Sequence, residues 1–130
     1  MSSPFEEIGG ADAVRQLAER FYDWMRDNEP ELTAVHELDS SGDSSRRSRD
    51  RFALFLVGWL GGPQDYVAEN GHPRLRMRHA QVPVTIALRD AWLRCMFAAM
   101  DDCAIPSATQ EFLRPRFSEL ADFMRNVDEP

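Results

Sequence analysis

The chain has 130 residues, a formal net charge of −7, and 15 basic residues that are all arginine. This length suits one domain over residues 1–130 and excludes most two-domain enzymes, while the lack of lysine excludes Schiff-base lysines and P-loop chemistry. The acidic balance opposes nucleic acid or an anionic membrane as partner, and a composition 43% apolar and 28% charged fits a folded core.

Met1 to Gly10 carries two glutamates and no basic residue, unlike a secretory leader, so the cytoplasm is the expected compartment. From Ala11 to Asp27, the residues Val14, Leu17, Ala18, Phe21, Tyr22 and Met25 recur at helical spacing and predict an amphipathic helix. Asn28, Glu29 and Pro30 stop it. A short apolar patch around Leu32, Val35 and His36 precedes a Ser/Gly/Asp-rich loop from Asp39 to Ser45. Ser48, Phe52, Phe55, Leu56 and Trp59 then share one face of a second long helix, predicted from about Ser45 to Leu60. Its apolar run, Phe52 to Gly62, is too short to span a bilayer. Arg46, Arg47, Arg49 and Arg51 crowd its first turns, where cations are slightly unfavourable. The simplest reading of Arg46, Arg47 and Arg49 is a solvated face.

Gly61, Gly62 and Pro63 break this helix, and Gly71, His72 and Pro73 bracket a further short segment. Arg74 to Arg78 alternates polar and apolar residues as a strand would. Pro73, however, suits a first helical turn with Leu75 and His79 at i, i+4, and no second strand pattern offers a pairing partner, so a helix is preferred. Leu88, Trp92, Cys95, Met96, Ala99 and Cys103 trace one face of a helix from about Ile86 to Asp102. Cys95 and Cys103, separated by about 12 Å of helical rise, are too far apart for a disulfide and read as small buried hydrophobes. Ser107 and Gln110 have capping-box spacing, and Phe112, Leu113, Phe117, Leu120 and Met124 form the last stripe. Pro115 either kinks one helix there or sits in the first turn of a second. No strand is required, so the fold class is all-α.

Among the three histidines, His79 has the most suggestive setting. A neutral imidazole on an apolar wall can ligate a metal through one ring nitrogen, but it can equally be a satisfied structural histidine. The absence of CxxC, CxxCH and HExxH removes thiol-zinc sites, covalent c-type haem attachment and the commonest zinc protease site. Tyr22, Phe52, Phe55 and Trp92 are, on spacing alone, core residues.

The run Gly71-His72-Pro73-Arg74-Leu75-Arg76-Met77-Arg78-His79 and the run Arg89-Asp90-Ala91-Trp92-Leu93-Arg94-Cys95-Met96 resemble the group II truncated haemoglobins. So do Phe5 through Ile8-Gly9-Gly10, Arg20-Phe21-Tyr22, and Leu60-Gly61-Gly62-Pro63 with Tyr66. The resemblance implies a globin-like 2-over-2 α-helical sandwich around haem b, with His79 as proximal iron ligand. It further implies that Trp92 and Tyr22 face the ligand side and that His36 places the chain in the histidine-bearing distal subset. Ser48 falls where other globins keep a distal histidine, Phe52 and Phe55 line the cavity, and Arg51 and Arg78 approach the haem propionates. The stretch from Leu32 to Arg47 departs from the family pattern: Glu37 replaces a usual proline, and the Ser-rich loop is longer.

Tyr22, Trp92 and His36 are hydrogen-bond donors suited to a partly negative iron-bound ligand, and arginine forks suit carboxylates. The first expectation is therefore a haem protein binding dioxygen, nitric oxide or carbon monoxide at a pentacoordinate-capable iron. An alternative is nitric oxide dioxygenation or peroxidase-like chemistry with Tyr22 or His36 as proton relay, its electrons coming from an external reductase. A haem-free helical interaction module is the third reading. The assembly is expected to be a monomer or homodimer.

Overall fold

The computed structural model describes residues 2–71 and 83–126. Its helices there are α1 (Pro4–Ile8), α2 (Ala11–Asn28), α3 (Pro30–Ala34), α4 (Arg46–Trp59), α5 (Asp65–Asn70), α6 (Ile86–Asp102) and α7 (Ser107–Phe123). An isolated antiparallel bridge from Leu38 to Ser44 closes the neck of the α3–α4 loop, and no strand occurs among the described residues. The all-α expectation therefore holds, while the segment Arg74 to Arg78 lies outside the described residues.

The long helices form where the apolar stripes are. Val14, Leu17, Ala18, Phe21, Tyr22 and Met25 of α2 are all buried, and they face α4 on one side and α6 on the other. Helix α6 in turn packs on α7, giving two pairs of helices stacked in a 2-over-2 sandwich. Two starts are capped as local chemistry requires: Ser45 Oγ accepts the Ser48 amide at 3.1 Å, and Thr85 Oγ1 accepts the Leu88 amide at 3.1 Å. Helix α1 is pinned across the end of α4, where the Phe5 amide donates to Leu60 O at 2.9 Å. A Cβ at Gly62 would overlap the Phe5 ring, so this close approach requires glycine.

At α7 the structure departs from the sequence reading. Pro106 occupies the cap position and Ser107 is already helical; Gln110 Nε2 donates to Ile105 O at 2.9 Å, so the expected capping box does not form. A single helix runs through Pro115. Phe112, assigned to the buried stripe, is 44% exposed, and the Arg116 guanidinium covers its ring at 3.5 Å. Cys103 closes α6 as its cap residue, and both cysteines are free thiols. Burial pushes the Cys95 thiol up to about 12, consistent with an inert core residue.

The largest correction concerns Arg49. It is 6% exposed and belongs to no solvated face. Its guanidinium contacts Asp23 at 2.9 Å and Glu19 at 3.3 Å, both on α2, and Asp43 of the loop at 2.8 Å. The same guanidinium lies 5.4 Å from the centre of the Tyr22 ring. Arg46 and Arg47 are exposed, as expected, with Arg46 paired to Glu19 and Asp50.

Burial raises the Glu19 carboxyl, but Arg46 and Arg49 outweigh it and hold the group below its ordinary value of 4.5. A lowered folded-state pKa gives stability that is present above that value and is lost as pH falls through the folded one. Arg49→Met should therefore cost about 2 kcal/mol in urea unfolding near neutral pH, because three carboxylates lose a common cation while remaining partly solvated. It should also flatten the fall in stability below the ordinary Glu19 value. An unchanged unfolding midpoint would show that the cluster carries no net stability.

Candidate functional site

The four long helices leave a gap at their centre. Between α2, α4, α6 and the end of α7 lies a cavity of about 290 Å³, walled by Phe21, Phe52, Phe55, Tyr66 and Trp92. The rings interlock. Phe21 lies 4.9 Å from Phe52 and 5.3 Å from Trp92, and Phe55 lies 5.8 Å from Tyr66. Such edge and offset contacts hold each ring by its neighbours. A smaller recess of about 90 Å³ adjoins this cavity and shares Val35, His36, Trp92 and Met124 with it.

One corner of the cavity is polar. Tyr22, from α2, is 4% exposed, and its hydroxyl donates to the Ser48 carbonyl at 3.4 Å, a long and weak bond. Burial lifts the Tyr22 phenol above its ordinary value of 10, against Arg49 and Arg51, so it stays protonated and keeps a proton to donate. His36 stands edge-on to Tyr22, the ring centres 5.7 Å apart. It follows α3, which is fixed to α6 by a two-pronged contact from Arg94 to Glu29 at 2.7 and 3.0 Å. Because His36 Nδ1 faces Leu32 O at 2.8 Å and a carbonyl only accepts, Nδ1 carries the proton. In the neutral ring Nε2 is then an acceptor, so His36 donates through Nε2 only when charged. Trp92 packs against the rings of Phe21, Phe52 and Phe117, and its indole N–H makes no hydrogen bond among the described residues.

Arg51 lines the same cavity and has no ion pair among the described residues, unlike Arg46 and Arg49 beside it. An aromatic slot edged by an unpaired guanidinium suits a flat apolar group that carries carboxylates at its rim.

Tyr22, His36, Ser48, Arg51, Phe52, Phe55 and Trp92, spread over 70 positions of sequence, thus meet at one cavity. Arg78 and His79 lie outside the described residues. Glu37 also reaches the cavity although spacing did not mark it; it stood out in the sequence only as a departure from the family pattern. Phe21 reaches it as well, because the buried stripe of α2 is wide enough for two adjacent aromatics to face inward. Among the described residues, no group of three or more His, Cys, Asp or Glu side chains is placed to hold a metal ion.

Residues 3–126 match the family described as Bacterial-like globin. Group 2 truncated hemoglobin YjbI of Bacillus subtilis is 36% identical over 128 residues, covering 98% of this chain and 92% of its own length. The cold-adapted truncated hemoglobin of Pseudoalteromonas haloplanktis superposes with a TM-score of 0.89 at 37% identity, covering 98% of this chain and 100% of that one. The truncated oxygen-avid haemoglobin of Bacillus subtilis superposes with a TM-score of 0.84 at 35% identity, over 96% of this chain and 100% of that one. These likenesses set aside the haem-free module, since haem is the family's cofactor and haem b its usual form. The chain belongs to the bacterial-like globins and, within them, to the group II truncated haemoglobins, haem proteins that bind small gaseous ligands.

Proposed function

We propose that this protein binds dioxygen, and with it nitric oxide and carbon monoxide, tightly and with slow release, in the cytoplasm. When bound, haem b supplies an iron site at which a diatomic ligand becomes partly negative. His79 is the proximal ligand in this reading, and the pocket's own residues do the rest. Phe52 and Phe55 flank the cofactor and exclude water, and Arg51 and Arg78 take its two carboxylates. Tyr22 and Trp92 donate hydrogen bonds to the ligand, Ser48 borders it, and His36 adds a donor when protonated.

The observation that carries this reading is the polar corner itself. A protonated phenol held by one weak bond and an indole N–H without a hydrogen bond among the described residues line the same aromatic cavity. Donors left loosely engaged are available to a ligand, and a bond to a partly charged acceptor is stronger than one between neutral groups. The oxygen-avid character stated for the Bacillus subtilis structure supports tight binding.

Trp92→Phe keeps an aromatic wall and deletes the indole N–H. One hydrogen bond is worth about 1 to 1.5 kcal/mol, so the oxygen dissociation rate measured by stopped flow should rise about tenfold. Tyr22→Phe should raise it by a similar factor. An unaltered rate in both variants would remove the donor corner from the account.

A further inference from the structure

We propose that Glu37, Ser45 and Ser48 form a proton relay from solvent to the ligand side of the cavity. This inference rests on the gas-binding reading above and adds a regulated proton supply to it.

Ser45 caps α4, and the cap uses only a lone pair of its hydroxyl, which accepts the Ser48 amide at 3.1 Å. The hydroxyl proton remains. Two acceptors compete for it: the carboxylate oxygen Oε1 of Glu37 at 3.1 Å and the Ser48 hydroxyl at 3.2 Å. Ser45 itself is buried, whereas Glu37 is exposed, and Glu37 and Ser48 both line the cavity that holds Tyr22 and His36. The main chain of Glu37 is fixed beside Ser45, whose amide donates to Glu37 O at 2.8 Å next to the Leu38–Ser44 bridge.

The protonation state of Glu37 decides the order of these hydrogens. When Glu37 is ionised, its charge draws the Ser45 proton outward, because bonds to charged acceptors are the stronger ones. Ser48 then turns its own proton toward Ser45 and offers the cavity a lone pair. When Glu37 is protonated it donates to Ser45, Ser45 donates to Ser48, and the Ser48 proton points into the cavity. An inward transfer breaks the O–H bond at Glu37 and forms one at Ser45. Ser45 passes its former proton to Ser48, and Ser48 gives its own to an oxygen atom of the ligand. One proton from water restores Glu37; the relay carries protons only, and the electron lost in decay to the ferric form leaves from the iron with the protonated dioxygen. Tyr22 is no link between Glu37 and the cavity, because its hydroxyl meets Ser48 only at the backbone carbonyl, which cannot pass a proton on.

Three titratable or charged groups lie near Glu37: Arg51 of α4 and Tyr22 of α2 line the same cavity, and His36 adjoins it in sequence. Behind Ser45, Arg49 is already matched by Glu19, Asp23 and Asp43. Arg51 and His36 are the basic side chains that line the cavity together with Glu37.

The test is the pH profile of decay of the oxygenated protein to the ferric form, a decay that an added proton promotes. The ratio of the rate at about pH 5 to that at about pH 8 should fall about tenfold in Glu37→Gln, the size of a modest general-acid contribution. Ser45→Ala should lower the same ratio, and Ser45→Thr, which keeps hydroxyl and cap, should restore it. Infrared spectra give a readout independent of ligand chemistry: the carboxylate bands lost in Glu37→Gln should shift in Ser45→Ala. An unchanged ratio in Glu37→Gln, an equal loss of rate at both pH values, or carboxylate bands unmoved in Ser45→Ala would each overturn the relay. Failure of the wild-type protein to form an oxygenated spectrum would instead overturn the gas-binding reading and the relay with it.

Discussion

Arg49, a buried cation, fixes how α2, α4 and the loop between α3 and α4 meet. Taking a guanidinium out of water is costly unless its donors are matched, and here Glu19, Asp23 and Asp43 match them from two separate parts of the chain. The geometry leaves little freedom. If the loop or α2 shifts, a charge loses its partner in a poorly solvated place, so α4 must enter at the height where Ser45 caps it. Tyr22, whose ring lies against the same guanidinium, is set by this arrangement. The polar corner of the cavity is thus positioned by an ion cluster on its outer side and not by apolar packing alone.

On its inner side the chain does the reverse and leaves space. A core of this size normally closes on itself, yet rings from α2, α4, α5 and α6 support one another around a gap. A cofactor that fills that gap contributes the burial the side chains do not, which is how a short chain supports a complete globin core. In the proposed reading the same division of labour gives the pocket its character: aromatic walls strengthen electrostatic contacts inside, and the few polar groups carry the selectivity for a partly charged ligand.

Much of this was legible in the sequence. Helices α2, α4 and α6 carry long apolar stripes, and their observed limits fall within a residue of those the periodicity implies. Helices α1, α3 and α5 are five or six residues long, less than two turns, which leaves no period to read. The burial of Arg49 was hidden because two of its partners lie 26 and 30 positions away on another helix; locally it looks like one more arginine in a basic turn. Phe112 misled for the opposite reason, since an apolar residue one position off the true stripe satisfies helical spacing just as well. The seven cavity residues emerged from the family resemblance, because spacing alone cannot separate a core aromatic from a pocket wall. Glu37 was visible only as a missing proline, and its partner Ser45 lies across a loop whose closure depends on backbone pairing.

The central claim is that this aromatic cavity holds haem b with His79 as the iron ligand, and absorption spectroscopy of the purified protein and of His79→Ala tests it most directly. The account predicts stoichiometric haem in the wild type, with ferrous and carbon monoxide spectra of a histidine-ligated iron. It also predicts that His79→Ala, with unchanged far-ultraviolet circular dichroism, loses or markedly shifts those bands. A colourless wild-type protein, or an identical spectrum in His79→Ala, would contradict it.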